Sequence, residues 1–134
     1  MNKEDLNKSI NEDLKIDHSL IKAEWEKLPL IYYKWSKLFI EAQYESNEAR
    51  AKLSYIEAVL SNDIRINHDK YELKNSPTET AIKNIIIQNK DYIEARRNHS
   101  NLLFSKELLN SVLKSLEYKK SALENLNQNI SNLK

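Results

Sequence analysis

The sequence predicts an all-α fold, in which short N-terminal helices precede long helices that form a coiled-coil-like hairpin and assemble into an oligomer. Three observations carry this prediction. None of the 134 positions is glycine, so tight hairpins and phosphate-cradling loops, which need positive φ or close backbone approach, cannot be built. Only Pro29 and Pro77 interrupt a chain rich in Leu, Lys, Glu, Ala and Ile, a composition that favours long helices with few connections. Apolar residues also recur at intervals of seven over two long stretches, the period of a helical seam.

One helical domain over 1–134 is expected, with N-terminal helices over 1–28, a long helix over 30–66, a connector over 67–76 and C-terminal helices over 77–131. Leu6, Ile10 and Leu14 share one face of a first helix, which is too short to be stable alone and must dock on something. Asp17 or Ser19 then offers an N-cap for a second helix toward Leu28. Pro29 interrupts or kinks it, because the ring removes a donor and crowds the preceding turn.

From Leu30 a longer pattern starts. Trp35, Ala42, Ala49 and Ile56 repeat every seven residues, with Phe39, Leu53 and Leu60 in companion positions and Ser46 as a polar lapse. The stripe fades around Ile64 to Ile66. At 76–79 the segment SPTE reads as a helix start, with Ser76 as N-cap, Pro77 in the first turn and Glu79 completing a capping box. A helix through Ile82, Ile85 and Ile86 follows, with room for a break near Asn89.

The last third has the most regular pattern. Ala95, Leu102, Leu109, Leu116, Leu123 and Ile130 fall at successive sevens, and Val112, Leu126 and Leu133 occupy the second seam. Leu103, Phe104, Leu108 and Leu113 widen this stripe beyond one seam, which predicts self-association. In the segment LPLIYYKW at 28–35, Trp35 opens the core stripe, Tyr32 lies nearer to it, and Tyr33 and Lys34 lean toward the rim.

Charged residues make up 31% of the chain against 40% apolar, which suits a folding chain rather than a disordered tail or a membrane protein. There is no cysteine, the N-terminal MNKEDLNKS lacks an apolar signal core, and no run approaches the roughly 18 apolar residues of a membrane span. A cytoplasmic location is therefore expected, without a membrane partner. His18, His68 and His99 are too dispersed for a metal-ligand pattern. No serine sits in an elbow, and the carboxylates are spread over helical faces. No catalytic residue, metal or cofactor is expected, and the chain is read as a non-enzyme.

Charge is close to balanced, with 21 Lys and Arg against 20 Asp and Glu. Three basic pairs stand out: Arg50 with Lys52, Arg96 with Arg97, and Lys119 with Lys120. In one chain such pairs usually solvate a helix face. Repeated around a ring of subunits, they can form a phosphate track whose binding weakens steeply with salt.

The order of short motifs resembles the UvsY-type recombination mediators of tailed phages. The likeness runs through EDL at 4–6, DLKID at 13–17, Leu20, Glu24, and the tyrosine and KW pair at 33–35. It resumes with AKLSYI at 51–56, NKDY at 89–92 and VLKSLEYKKSALENL at 112–126. The resemblance implies a small helical protein that forms a homo-oligomeric ring and binds single-stranded DNA in an infected bacterial cell. It also implies contacts with a phage recombinase and a single-strand-binding protein, the first being loaded in place of the second. The family's DNA-contacting basic pair maps onto Arg50 and Lys52, ahead of Leu53 and Tyr55, or in another register onto Arg65 and Lys70. Trp35, Phe39, Leu102, Leu109, Leu116, Leu123 and Ile130 are expected in the core or at subunit contacts. The alternative from the residues alone is a coiled-coil adaptor or scaffold of a phage assembly, whose basic residues only solubilise.

Overall fold

The computed structural model describes residues 2–132, and the side chains of 2–129. Among these, four α-helices carry the chain and no strand occurs: α1 (Lys3–Leu14), α2 (Ile21–Ile66), α3 (Glu79–Gln88) and α4 (Lys90–Asn132). None of them is long and apolar enough to cross a membrane.

Asn2 caps α1 by accepting from the Asp5 amide at 2.8 Å, and Glu4 and Asp5 sit where the helix dipole favours anions. Leu6, Ile10 and Leu14 are half-buried, and no α1 residue is fully buried. Asp17 caps a turn rather than α2 itself: its Oδ1 accepts from the Ser19 amide at 3.0 Å and from the Ser19 hydroxyl at 2.6 Å. The first bond into α2 runs from the Glu24 amide to the Leu20 carbonyl, so neither Asp17 nor Ser19 is the N-cap expected from sequence.

The boundary expected at 28–30 is also absent. Helix α2 runs unbroken from Ile21 to Ile66 with Pro29 inside it. An interior proline costs a helix about 3 kcal/mol. Buried Leu28 on one side and fully buried Trp35 on the other anchor both flanks, and burying large apolar side chains at about 1.5–3 kcal/mol each offsets that cost.

The chain divides into two compact units, Met1–Glu41 with Lys106–Lys134, and Ala42–Ser105. In the first, Leu28 and Trp35 of α2 are buried, as are Leu109, Val112, Leu116 and Leu123 of α4. Trp35, Leu109, Leu116 and Leu123 thus take the core positions that the heptads predict, while Phe39 is half-buried. Ile130 lies outside the residues whose side chains are described, and Leu133 outside the described residues altogether.

The second unit is centred on Ile64, Ile82 and Ile86, with Leu60, Tyr71, Leu73, Ile85 and Tyr92 packed against them. Ile64 is fully buried, so the α2 stripe does not fade there; it ends on this cluster, whose isoleucines arrive from α3. Ser46 is buried together with Ala49 and Ala95, and Leu102 is half-buried. The polar lapse at 46 is a small residue inside the packed face rather than a gap in it.

The connector extends to Thr78 and contains a 3₁₀ turn, His68–Tyr71, closed by Glu72 in the left-handed region at φ 64°. A chain without glycine places a charged residue where glycine is usually found. The N-cap of α3 is Thr78, which accepts from the Ala81 amide at 3.1 Å. The expected start at Ser76 lies two residues too early, because Pro77 precedes the helix and Glu79 turns to Arg65 rather than back to a capping box. The break at Asn89 is present: it ends α3, and its side chain accepts from the Tyr92 amide at 3.1 Å to start α4.

Candidate functional site

Of the basic residues singled out by sequence, Arg65 and Lys70 are committed locally. Arg65 pairs with Glu79 and its Nε donates to Ser61 Oγ at 3.4 Å. Lys70 approaches Asp63 at 3.4 Å and lies 5.7 Å from the Tyr71 ring centroid. Asp63 also accepts from the Tyr71 hydroxyl and, at 2.7 Å, from Asn67. These hydrogen bonds, Tyr71 first and Asn67 second, hold the Asp63 carboxyl below its ordinary range, and the bond to Asp63 together with burial pushes the Tyr71 phenol up. Both residues serve the connector, and their charges are matched by neighbouring carboxylates.

Arg50 and Lys52 are exposed on α2, and no ion pair engages either of them among the described residues. Exposed Tyr55 and Val59 follow one and two turns after Lys52. Lys52, Tyr55, Ile56, Val59 and Leu60 form one wall of a groove of about 490 Å³, and Asp91, Glu94, Ala95 and Asn98 of α4 form the other. Lys52 therefore shares its groove with two carboxylates, while Arg50 does not line it. Arg96 and Arg97 are exposed on α4 within the same unit.

The third basic pair is divided. Lys120 is exposed, but Lys119 is buried at 5% exposure, the one buried charged residue among those described. Its ammonium donates to the Asp13 carbonyl at 2.8 Å and the Lys15 carbonyl at 3.0 Å. Glu24 Oε2 lies 2.7 Å away as an ion-pair partner. Two carbonyl acceptors and a carboxylate at ion-pair distance compensate the desolvation of the ammonium, and Glu24 Oε2 is itself buried without a hydrogen bond. The two carbonyls come from the C-terminal end of α1, where the helix dipole is negative.

Asp13 joins this cation to a second group. Its Oδ2 accepts from Lys34 Nζ at 2.6 Å and from the indole N–H of fully buried Trp35 at 2.8 Å. Lys34 also reaches Ser9 Oγ at 3.3 Å and lies 4.8 Å from the Trp35 ring centroid. The Trp35 ring is therefore core, as its place at the head of the stripe predicts, and only its N–H has a polar role.

Sequence reasoning did not find the network of Asp13, Glu24, Lys34, Trp35 and Lys119. One signal was present: 119 falls between Val112 and Leu126 in the second-seam series of sevens, and a lysine there is a polar residue at a core position. Its acceptors, two backbone carbonyls far away in sequence, leave no mark in the side-chain pattern. No group of three or more metal-ligating side chains occurs among the described residues. A second groove in the first unit, about 480 Å³, is lined by Trp25, Leu28, Pro29, Tyr32, Leu116 and the charged pair Glu117 and Lys120. The Trp25 indole N–H is buried without a hydrogen-bond partner.

In comparisons with known proteins, no family model matches the chain. No curated protein and no solved structure matches it either.

Proposed function

We propose that this chain is a non-enzymatic recombination mediator that binds single-stranded DNA through phosphate contacts from several copies and helps to load a recombinase in place of a single-strand-binding protein. The observation that carries this reading is the exposed pair Arg50 and Lys52, which no ion pair occupies among the described residues. Lys52 lies inside, and Arg50 directly before, the segment 51–56 whose order of residues resembles the phage mediators. Cations that no ion pair engages are the ones that can release counterions from a nucleic-acid backbone, and of the two, Arg50 also stands outside the groove that holds Asp91 and Glu94. Arg65 and Lys70, matched by Glu79 and Asp63, are the weaker candidates.

Association of copies has its own support. In the first unit α2 exposes Leu30, Tyr33 and Ile40, and in the second it exposes Tyr44, Tyr55 and Val59. At 100° per residue these lie on the face of the helix opposite Trp35, Ser46 and Ile64. A helix with a second apolar face has surface left to bury. A coiled-coil arrangement, a ring, and contacts with recombinase and single-strand-binding protein belong to the same proposal.

The test is mass in solution with and without a single-stranded oligonucleotide, followed by titration at low salt. The double substitution Arg50→Ala, Lys52→Ala is expected to weaken binding about tenfold or more, with unchanged helicity. A monomer that binds no oligonucleotide at low salt overturns the proposal. The groove that sets Asp91 and Glu94 beside Lys52 favours a second reading, a protein-binding adaptor; under it the double variant keeps its full partner binding and no DNA binding is seen.

A further inference from the structure

We propose that α1 is an acidic strap that occupies, in place of a phosphate, an oxyanion site formed by Lys34, the Trp35 indole N–H and Lys119, and that a phosphate of single-stranded DNA displaces it. The inference rests on the DNA-binding reading above and adds to it a site and a means of regulation.

Helix α1 has little to hold it. It spans 12 residues, buries none of them completely, and a helix of that length is marginal in water. Its hydrogen-bonded and ionic attachments lie in its last two turns and just beyond: Ser9 and Asp13 on Lys34, Asp13 on Trp35, and the carbonyls of Asp13 and Lys15 on Lys119. Segments held by few contacts open at less than the global unfolding free energy.

What α1 offers at these contacts is chemically a phosphate substitute. One carboxylate oxygen receives an ammonium at 2.6 Å and an indole N–H at 2.8 Å, and the carbonyl of the same residue receives a second ammonium at 2.8 Å. The Lys34 ammonium and the indole N–H, converging on one carboxylate oxygen, suit a phosphodiester oxygen as well, since it accepts the same charge-assisted bonds, and Lys119 beside them adds an ammonium that Glu24 already pairs. Glu4, Asp5, Glu12 and Asp13 against Lys3 and Lys8 make the strap acidic overall, matching the sign of the ligand it mimics. The donors need not be rebuilt when it leaves. Lys34 stays over the Trp35 ring and its side chain is 43% exposed, and Lys119 keeps Glu24, which belongs to α2.

If the site is mostly covered, observed affinity is the intrinsic affinity reduced by the uncovered fraction. Weakening the strap then strengthens binding. Asp13→Ala, with Asp13→Asn as the variant that keeps side-chain volume, is compared with wild type in two measurements on the full chain. The first is amide exchange over residues 3–14; the second is titration of a labelled oligothymidine at low salt. Faster exchange and a roughly three- to tenfold tighter complex are expected, and Lys34→Glu in the Asp13→Ala background should abolish the gain. Faster exchange with unchanged affinity, or unchanged exchange in both variants, overturns the strap while wild-type binding leaves the mediator reading standing. Absence of binding by wild type and variants alike overturns the mediator reading and the strap with it.

Discussion

Lys119 shows how one residue can be read two ways: in sequence it is half of a basic pair, and in the fold it is a buried ammonium held by two backbone carbonyls and the Glu24 carboxylate. Removing one partner of such a pair leaves uncompensated polarity in the core, so Lys119→Met is expected to destabilise the chain by about 3 kcal/mol, read from denaturant unfolding. Adding Glu24→Gln should recover part of that loss, because replacing both members of a buried pair costs far less than breaking it. Asp63 and Tyr71 give a residue-scale dependence on pH. Hydrogen bonds from Tyr71 and then Asn67 lower the Asp63 pKa from the ordinary 3.8. Its contribution is therefore complete above that value and is lost as pH falls through the lower folded one. Tyr71, raised from 10.0 first by its bond to Asp63 and then by burial, contributes fully below pH 10.0 and loses its contribution as pH rises through the higher folded value. The connector should be most secure between these limits. Ultraviolet titration should show one late-ionising phenol that disappears in Tyr71→Phe. None of this was legible in sequence, since Asp63 sits in the last turn of α2 and meets Asn67, Lys70 and Tyr71 only when a 3₁₀ turn folds the connector back onto it.

Among the elements, the apolar sevens of α4 correctly marked Leu109, Leu116 and Leu123 as core, because a periodic stripe on a long helix has only one way to be buried. Helix ends were less legible. Thr78 rather than Ser76 caps α3, since the two hydroxyl residues flanking Pro77 satisfy the same local rule and tertiary contacts decide between them. Pro29 was read as a boundary, yet packing of Leu28 and Trp35 carries α2 through it. The ring still removes the bond to the Trp25 carbonyl, so Pro29→Ala is expected to raise stability by about 1–3 kcal/mol. A loss of stability instead would mean that contacts of the ring in its groove outweigh the missing hydrogen bond.

At the scale of the whole molecule, the two readings of function divide on charge. The chain carries nearly equal numbers of acids and bases, so the proposed DNA binding would rest on particular cations, Arg50 and Lys52 first, multiplied over copies, rather than on a bulk field. What the sequence left hidden at this scale is the division into two compact units, because heptads continue across it in both long helices without a change of composition. That division has a spectroscopic consequence. Trp25 and Trp35 both fall in the first unit, while Tyr44, Tyr55, Tyr71 and Tyr92 lie in the second, which has no tryptophan. Indole emission therefore reports on the α1-bearing unit alone, and with no cysteine in the chain a single thiol label can be placed at will in the other. Unlabelled protein already carries the optical contrast needed to tell whether the units melt together or in turn.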